Sequence, residues 1–133
     1  MSDTQSKIRH LQYDIDALTR ALKFLLQENA FLKTRLSEIL NLVSTGTNDL
    51  ETIEQYQSSF VRNDQVINLM RRDIDSVEKL LLECSWEDGR LEKSVIHKIR
   101  KLNRELGEIE KNFNSAKINF NNYLEDILQI NGS

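Results

Sequence analysis

Apolar residues recur at alternating steps of three and four along almost the whole chain, in three consecutive registers. The first runs Ile8, Leu11, Ile15, Leu18, Leu22, Leu25, Asn29, Leu32, Leu36, Ile39, Val43. The second runs Ile53, Tyr56, Phe60, Asn63, Ile67, Met70, Ile74, Val77, Leu81, Cys84, and the third Val95, Ile99, Leu102, Leu106, Ile109, Phe113, Ala116, Phe120, Tyr123, Ile127, Ile130. A three-four repeat keeps every member on one face of a helix, and its seven-residue period winds such helices around each other in a left-handed sense. The registers predict helices over about 7–44, 48–84 and 88–130.

The breaks between registers carry turn chemistry. Gly46 stands where a helix C-terminus commonly needs a residue without a Cβ, and Thr47 or Asn48, with Glu51 following, makes a capping sequence for the next helix. Ser85, Trp86, Glu87, Asp88 and Gly89 interrupt the second register, and Ser85 or Asp88 can cap the third helix. Connections this short join antiparallel neighbours. Proline, which would break a helix, is absent from all 133 residues. The fold expected is all-α: one domain over residues 1–133, an elongated antiparallel three-helix (up-down-up) coiled-coil bundle, with dimerisation left open.

Each of the first two registers has one polar member, and both are asparagine. If the chain folds back about Gly46, residues of helices 1 and 2 whose numbers add to about 92 are level, which sets Asn29 beside Asn63. An amide pair can exchange a hydrogen bond that leucine cannot offer, so the two form a buried polar layer that fixes register. Folding about residues 85–88 brings Lys111 or Asn112 of the third helix to the same level. The alternatives are that each amide sits at the margin of its seam and meets water, or that a parallel homodimer sets Asn29 against its own copy, an arrangement the short linker disfavours.

Apolar residues also exceed what the seams need. Helix 1 adds Ala21, Phe24, Leu26, Phe31, Leu40 and Leu42, and helix 3 adds Ile118, Leu124 and Leu128. Two neighbours for helix 1 absorb part of this width. The remainder concentrates at the end of the rod that holds Gly46, and Phe31, Leu40, Leu42, Ile118, Leu124 and Leu128 form the partner interface expected there.

Charge alters the picture locally. The net charge is −3, which gives no general attraction to nucleic acid or anionic lipid. Residues 48–89 hold 4 basic and 10 acidic side chains, whereas residues 90–104 hold 6 basic and 1 acidic. The basic run Arg90, Lys93, Lys98, Arg100, Lys101 and Arg104 is a candidate nucleic-acid surface. It carries no aromatic residue to stack on a base, and the fold sets it against Asp73, Asp75, Glu78, Glu83, Glu87 and Asp88, so nucleic acid is not the partner expected.

Catalytic chemistry finds no foothold. The positions three before His10 and His97 are Lys7 and Ser94, so the Glu-x-x-His pattern of di-iron bundles is missing and no metal is expected. Four glycines make neither a phosphate loop nor a nucleophile elbow. Cys84, the lone cysteine, reads as a small buried hydrophobe at a helix end, and Trp86 as a plug at the bundle end. A single cysteine, a charged start at Asp3, Lys7 and Arg9, and the lack of any long uncharged apolar run suggest a cytoplasmic protein with no leader and no membrane span. The function expected is a non-catalytic protein-protein interaction, scaffold or chaperone-like module, without catalytic residues or cofactor. The alternatives are a ligand-holding bundle, which would need inward polar groups in more than one layer, and a nucleic-acid-binding regulator using the start of helix 3.

Overall fold

A computed structural model describes residues 2–42, 47–83 and 89–132, with side chains at 3–41, 50–83 and 89–128. These residues form three α-helices, α1 (Ser2–Leu42), α2 (Thr47–Glu83) and α3 (Gly89–Gly132), and each packs against the other two. At about 1.5 Å per residue they are roughly 55 to 66 Å long. No strand occurs among the described residues.

The helix bounds follow the repeat, with one departure. α1 starts at Ser2, before the first seam residue Ile8. Asp3 lies in its first turn, where a carboxylate is favoured by the helix dipole, and Asp3 to Lys7 are exposed, so this extension rests on local preference and on one tie to α3. In that tie, Lys7 Nζ lies 3.2 Å from Glu92 Oε1.

Contacts between helices run in a consistent order. Gln12 Nε2 donates to Glu78 Oε2 at 2.8 Å and Asn29 Nδ2 to the Phe60 carbonyl at 2.8 Å, so numbers fall on α2 as they rise on α1. Between α1 and α3 they rise together, from Lys7–Glu92 to Glu28–Lys117. This order is compatible with an up-down-up course.

The core is one continuous cluster made from the seams. Ile15, Leu18 and Leu22 of α1, Ile53, Phe60 and Ile67 of α2, and Val95, Phe113 and Phe120 of α3 are among its buried members. Each large apolar side chain so buried contributes roughly 1.5–3 kcal/mol relative to exposure. Ile8, Tyr56, Ile109 and Tyr123, also seam positions, are half-buried at the margin.

Leu124 departs from its expected place. It was assigned to the outer surplus, yet it is buried at 4% exposure, while its seam neighbour Tyr123 is only half-buried. A helix with two neighbours buries a stripe wider than a two-position seam, and Phe120, Leu124 and Ile127 are themselves spaced four and three apart. Gly46, Cys84, Ser85, Trp86 and Asp88 lie outside the described residues, as do the side chains of Leu42, Asn48 and Ile130.

Candidate interaction surfaces and the polar layer

Asn29 is the one buried polar side chain among the described residues, at 0% exposure. Its position in the α1 seam points its amide at α2. Nδ2 donates to the Phe60 carbonyl at 2.8 Å and to Asp64 Oδ1 at 2.7 Å, and Oδ1 accepts from Asn63 Nδ2 at 3.3 Å. All three partners are on α2. The Phe60 carbonyl already belongs to the helix ladder and offers Asn29 its second lone pair, which costs the ladder nothing.

Charged groups close both rims of this layer. Lys33, one turn after Asn29, pairs with the other oxygen of Asp64. On the α3 side, Lys117 Nζ lies 2.9 Å from Glu28 Oε1. The third helix therefore meets this level with Lys117, whereas Lys111 and Asn112 are both exposed. Sequence reasoning missed Glu28, Lys33, Asp64 and Lys117. Their signal was present as opposite charges one position outside the seams; Lys33 and Asp64 pair within the α1–α2 hairpin, whereas pairing Glu28 with Lys117 requires the register of α3.

An aromatic level adjoins it. The rings of Phe60 and Phe120 meet edge to face at 5.1 Å, and Tyr56 lies 5.1 Å from Phe120 and 5.3 Å from Tyr123. The Tyr56 hydroxyl donates to the Asn119 carbonyl at 3.3 Å, and burial pushes its phenol above the ordinary value of 10.0. This level consists of packing rather than chemistry, since its titratable groups are phenols.

The residues of the expected partner interface do not share one face. Phe31 is 62% exposed and lines an open groove between α1 and α3 with Gln27, Lys117 and Asn121. Leu40, at 47%, lines a different groove, between α1 and α2, with Gln57 and Val61. Ile118 and Leu128 are exposed on α3, Leu124 is in the core, and the side chain of Leu42 lies outside the described residues. Two exposed aromatics on α1, Tyr13 and Phe24, are further surface features, and only Phe24 was singled out from sequence.

The basic start of α3 has acidic company. Lys98 and Lys101 line a groove with Asp73 and Glu105, and Lys101 Nζ is 3.9 Å from Glu105 Oε1. Glu78 faces α1 instead, accepting from Gln12. His10 pairs loosely with Asp14 at 3.9 Å, and His97 is exposed. Among the described residues no group of three histidine, cysteine or acidic side chains could hold a metal ion, and no helix is long and apolar enough to cross a membrane.

Compared against protein-family models, curated proteins and solved structures, the chain matches none of them.

Proposed function

We propose that the chain is a non-catalytic helical module that binds another protein chain by burying an apolar helix face, as a scaffold or chaperone-like element. The observation that carries this reading is the set of large apolar side chains left exposed, Phe24, Phe31, Leu69, Leu82 and Ile118 among them, on helices whose seams are already closed. Large exposed apolar groups favour association, and helix faces are a recurrent docking element. The basic segment supports a nucleic-acid partner poorly, because Lys98 and Lys101 share their groove with carboxylates. The single cysteine suits a reducing compartment such as the cytoplasm, where the module is proposed to work.

The test compares the unmodified chain with Phe24→Glu/Phe31→Glu, after circular dichroism has established equal helix content. A defined protein, or a second copy, retained by the unmodified chain and released by the variant supports the reading. A chain that is monomeric at high concentration and retains nothing beyond a control bundle refutes it.

A further inference from the structure

The outer face of α1 repeats the spacing of its inner face. Tyr13, Phe24 and Phe31 are 65%, 59% and 62% exposed, and all three fall on a second line of three- and four-residue steps that runs from Tyr13 to Glu38 through Ala17, Arg20, Gln27 and Thr34. On an ideal helix these positions form one stripe, roughly 38 Å long. At the matching positions neither other helix has such a line. At matching positions on α3, from Lys101 to Glu125, only Ile118 is a large apolar residue, and on α2, from Gln55 to Lys79, only Leu69. A three-four line of this kind is the contact surface of a paired helix.

We propose that this stripe docks the same stripe of a second copy of the chain, antiparallel, with residues whose numbers add to 51 in the same layer. The proposal rests on the interaction reading above and names its surface and its occupant. The occupant follows from self-complementarity. In this register Arg20 meets Phe31 of the other copy, a cation on a ring, and Tyr13 meets Glu38, a phenol donor on a carboxylate. Ala17 meets Thr34 and Phe24 meets Gln27, so no layer sets two bulky rings against each other. The arginines already favour such rings, since the guanidinium carbons of Arg20 and Arg35 each lie 6.0 Å from the centroids of Tyr13 and Phe31 within the chain.

Charge favours this antiparallel pairing. In antiparallel pairs the flanking positions on one side face each other, which here sets Asp14 against Arg35 twice by symmetry. A shift of one heptad in one direction gives up both Asp14–Arg35 pairs and sets Glu28, already held by Lys117, against its own copy, in exchange for Arg20 opposite Glu38. A shift in the other sets Asp14 against Glu28 and Arg35 against Lys7. Parallel pairing is worse still, because it brings Arg20 onto Arg20 and Glu38 onto Glu38.

Two measurements on the full chain decide the matter. In sedimentation equilibrium the unmodified protein should have the mass of a dimer at high concentration. Phe24→Glu/Phe31→Glu should weaken self-association at least about a hundredfold while leaving helical circular dichroism unchanged. For register, Ala17→Cys/Thr34→Cys is placed in a Cys84→Ser background and oxidised, and it should give a covalent dimer. Ala17→Cys alone should not, because the two copies of position 17 would lie about 25 Å apart. A monomeric unmodified protein overturns the proposal, as does a dimer indifferent to Phe24→Glu/Phe31→Glu or cross-linked equally by Ala17→Cys alone. A monomer that still retains a different protein would leave the broader interaction reading standing, so the two failures are distinguishable.

Discussion

Two neighbouring levels of the bundle solve the same packing problem in opposite ways, and Phe60 belongs to both. Its ring packs on Phe120 and Tyr56 in a level made of aromatic side chains, while its carbonyl receives the amide of Asn29 in a level made of hydrogen bonds. The aromatic level gains from area removed from water, which is large and nearly indifferent to which ring meets which. The asparagine level gains little net free energy, because each bond replaces one to water, but it is costly to leave unmade. Stability and register thus come from separate places.

The sharpest way to break the comparison is Phe60→Ala. The ring is fully buried, and its loss leaves a cavity against Phe120, so chemical denaturation should show a loss of about 3–5 kcal/mol. Asn29→Leu comes next. It deprives the half-buried Asn63 of its acceptor and Asp64 of a donor and should cost about 1–3 kcal/mol, with Asn29→Leu/Asn63→Leu regaining most or all of that loss. If the double variant is as unstable as the two single changes added together, the amides are not coupled and the layer is not a unit.

The smallest effect is confined to alkaline solution and concerns Tyr56. Burial raises its phenol above 10.0, so as pH rises the unfolded chain loses this proton before the folded one does. The stabilisation linked to that group is complete below about pH 10 and is lost as pH climbs through the folded value. Tyr56→Phe removes the dependence. The stability of the unmodified protein should therefore fall more steeply above about pH 10 than that of the variant, and parallel slopes would show that the phenol is not buried in solution.

Much of this architecture was legible in the chain. The three-four repeat marks the seam from Leu11 to Ile39 and from Ile53 to Leu81, because a helix with one buried face needs no other signal. The Asn29 and Asn63 level could be anticipated from the position of Gly46 alone. Leu124 was misplaced because heptad logic describes one seam per helix, whereas α3 faces two partners and buries positions beside the seam. The ion pair Glu28–Lys117 was invisible for another reason. Opposite charges are common just outside seams, and choosing among them needs the level at which α3 passes α1, a quantity set across a turn rather than by any local pattern. Lys33–Asp64 lay within reach of the α1–α2 fold-back and was overlooked. The aromatic line on the outside of α1 escaped notice because Phe24 and Phe31 read as part of a general apolar surplus, and Tyr13 as none of it, until the steps between them are counted.

The asparagine layer also bears on the time course of folding. Were a hairpin of α1 and α2 to close from the near ends of the two helices outward, every heptad step away from the native match would still offer leucine-like partners to most positions, so a misaligned hairpin could begin to zip. It would be opposed on reaching Asn29. One heptad out in one direction sets Asn29 against Met70 and Asn63 against Leu36; in the other, Asn29 meets Tyr56 and Asn63 meets Leu22. Either error strands amides that the native match satisfies, so the wrong hairpin reopens sooner than it grows. If the pair midway along the rod rejects such misalignments, Asn29→Leu/Asn63→Leu, however stable at equilibrium, should refold with an added slow phase from trapped misalignments.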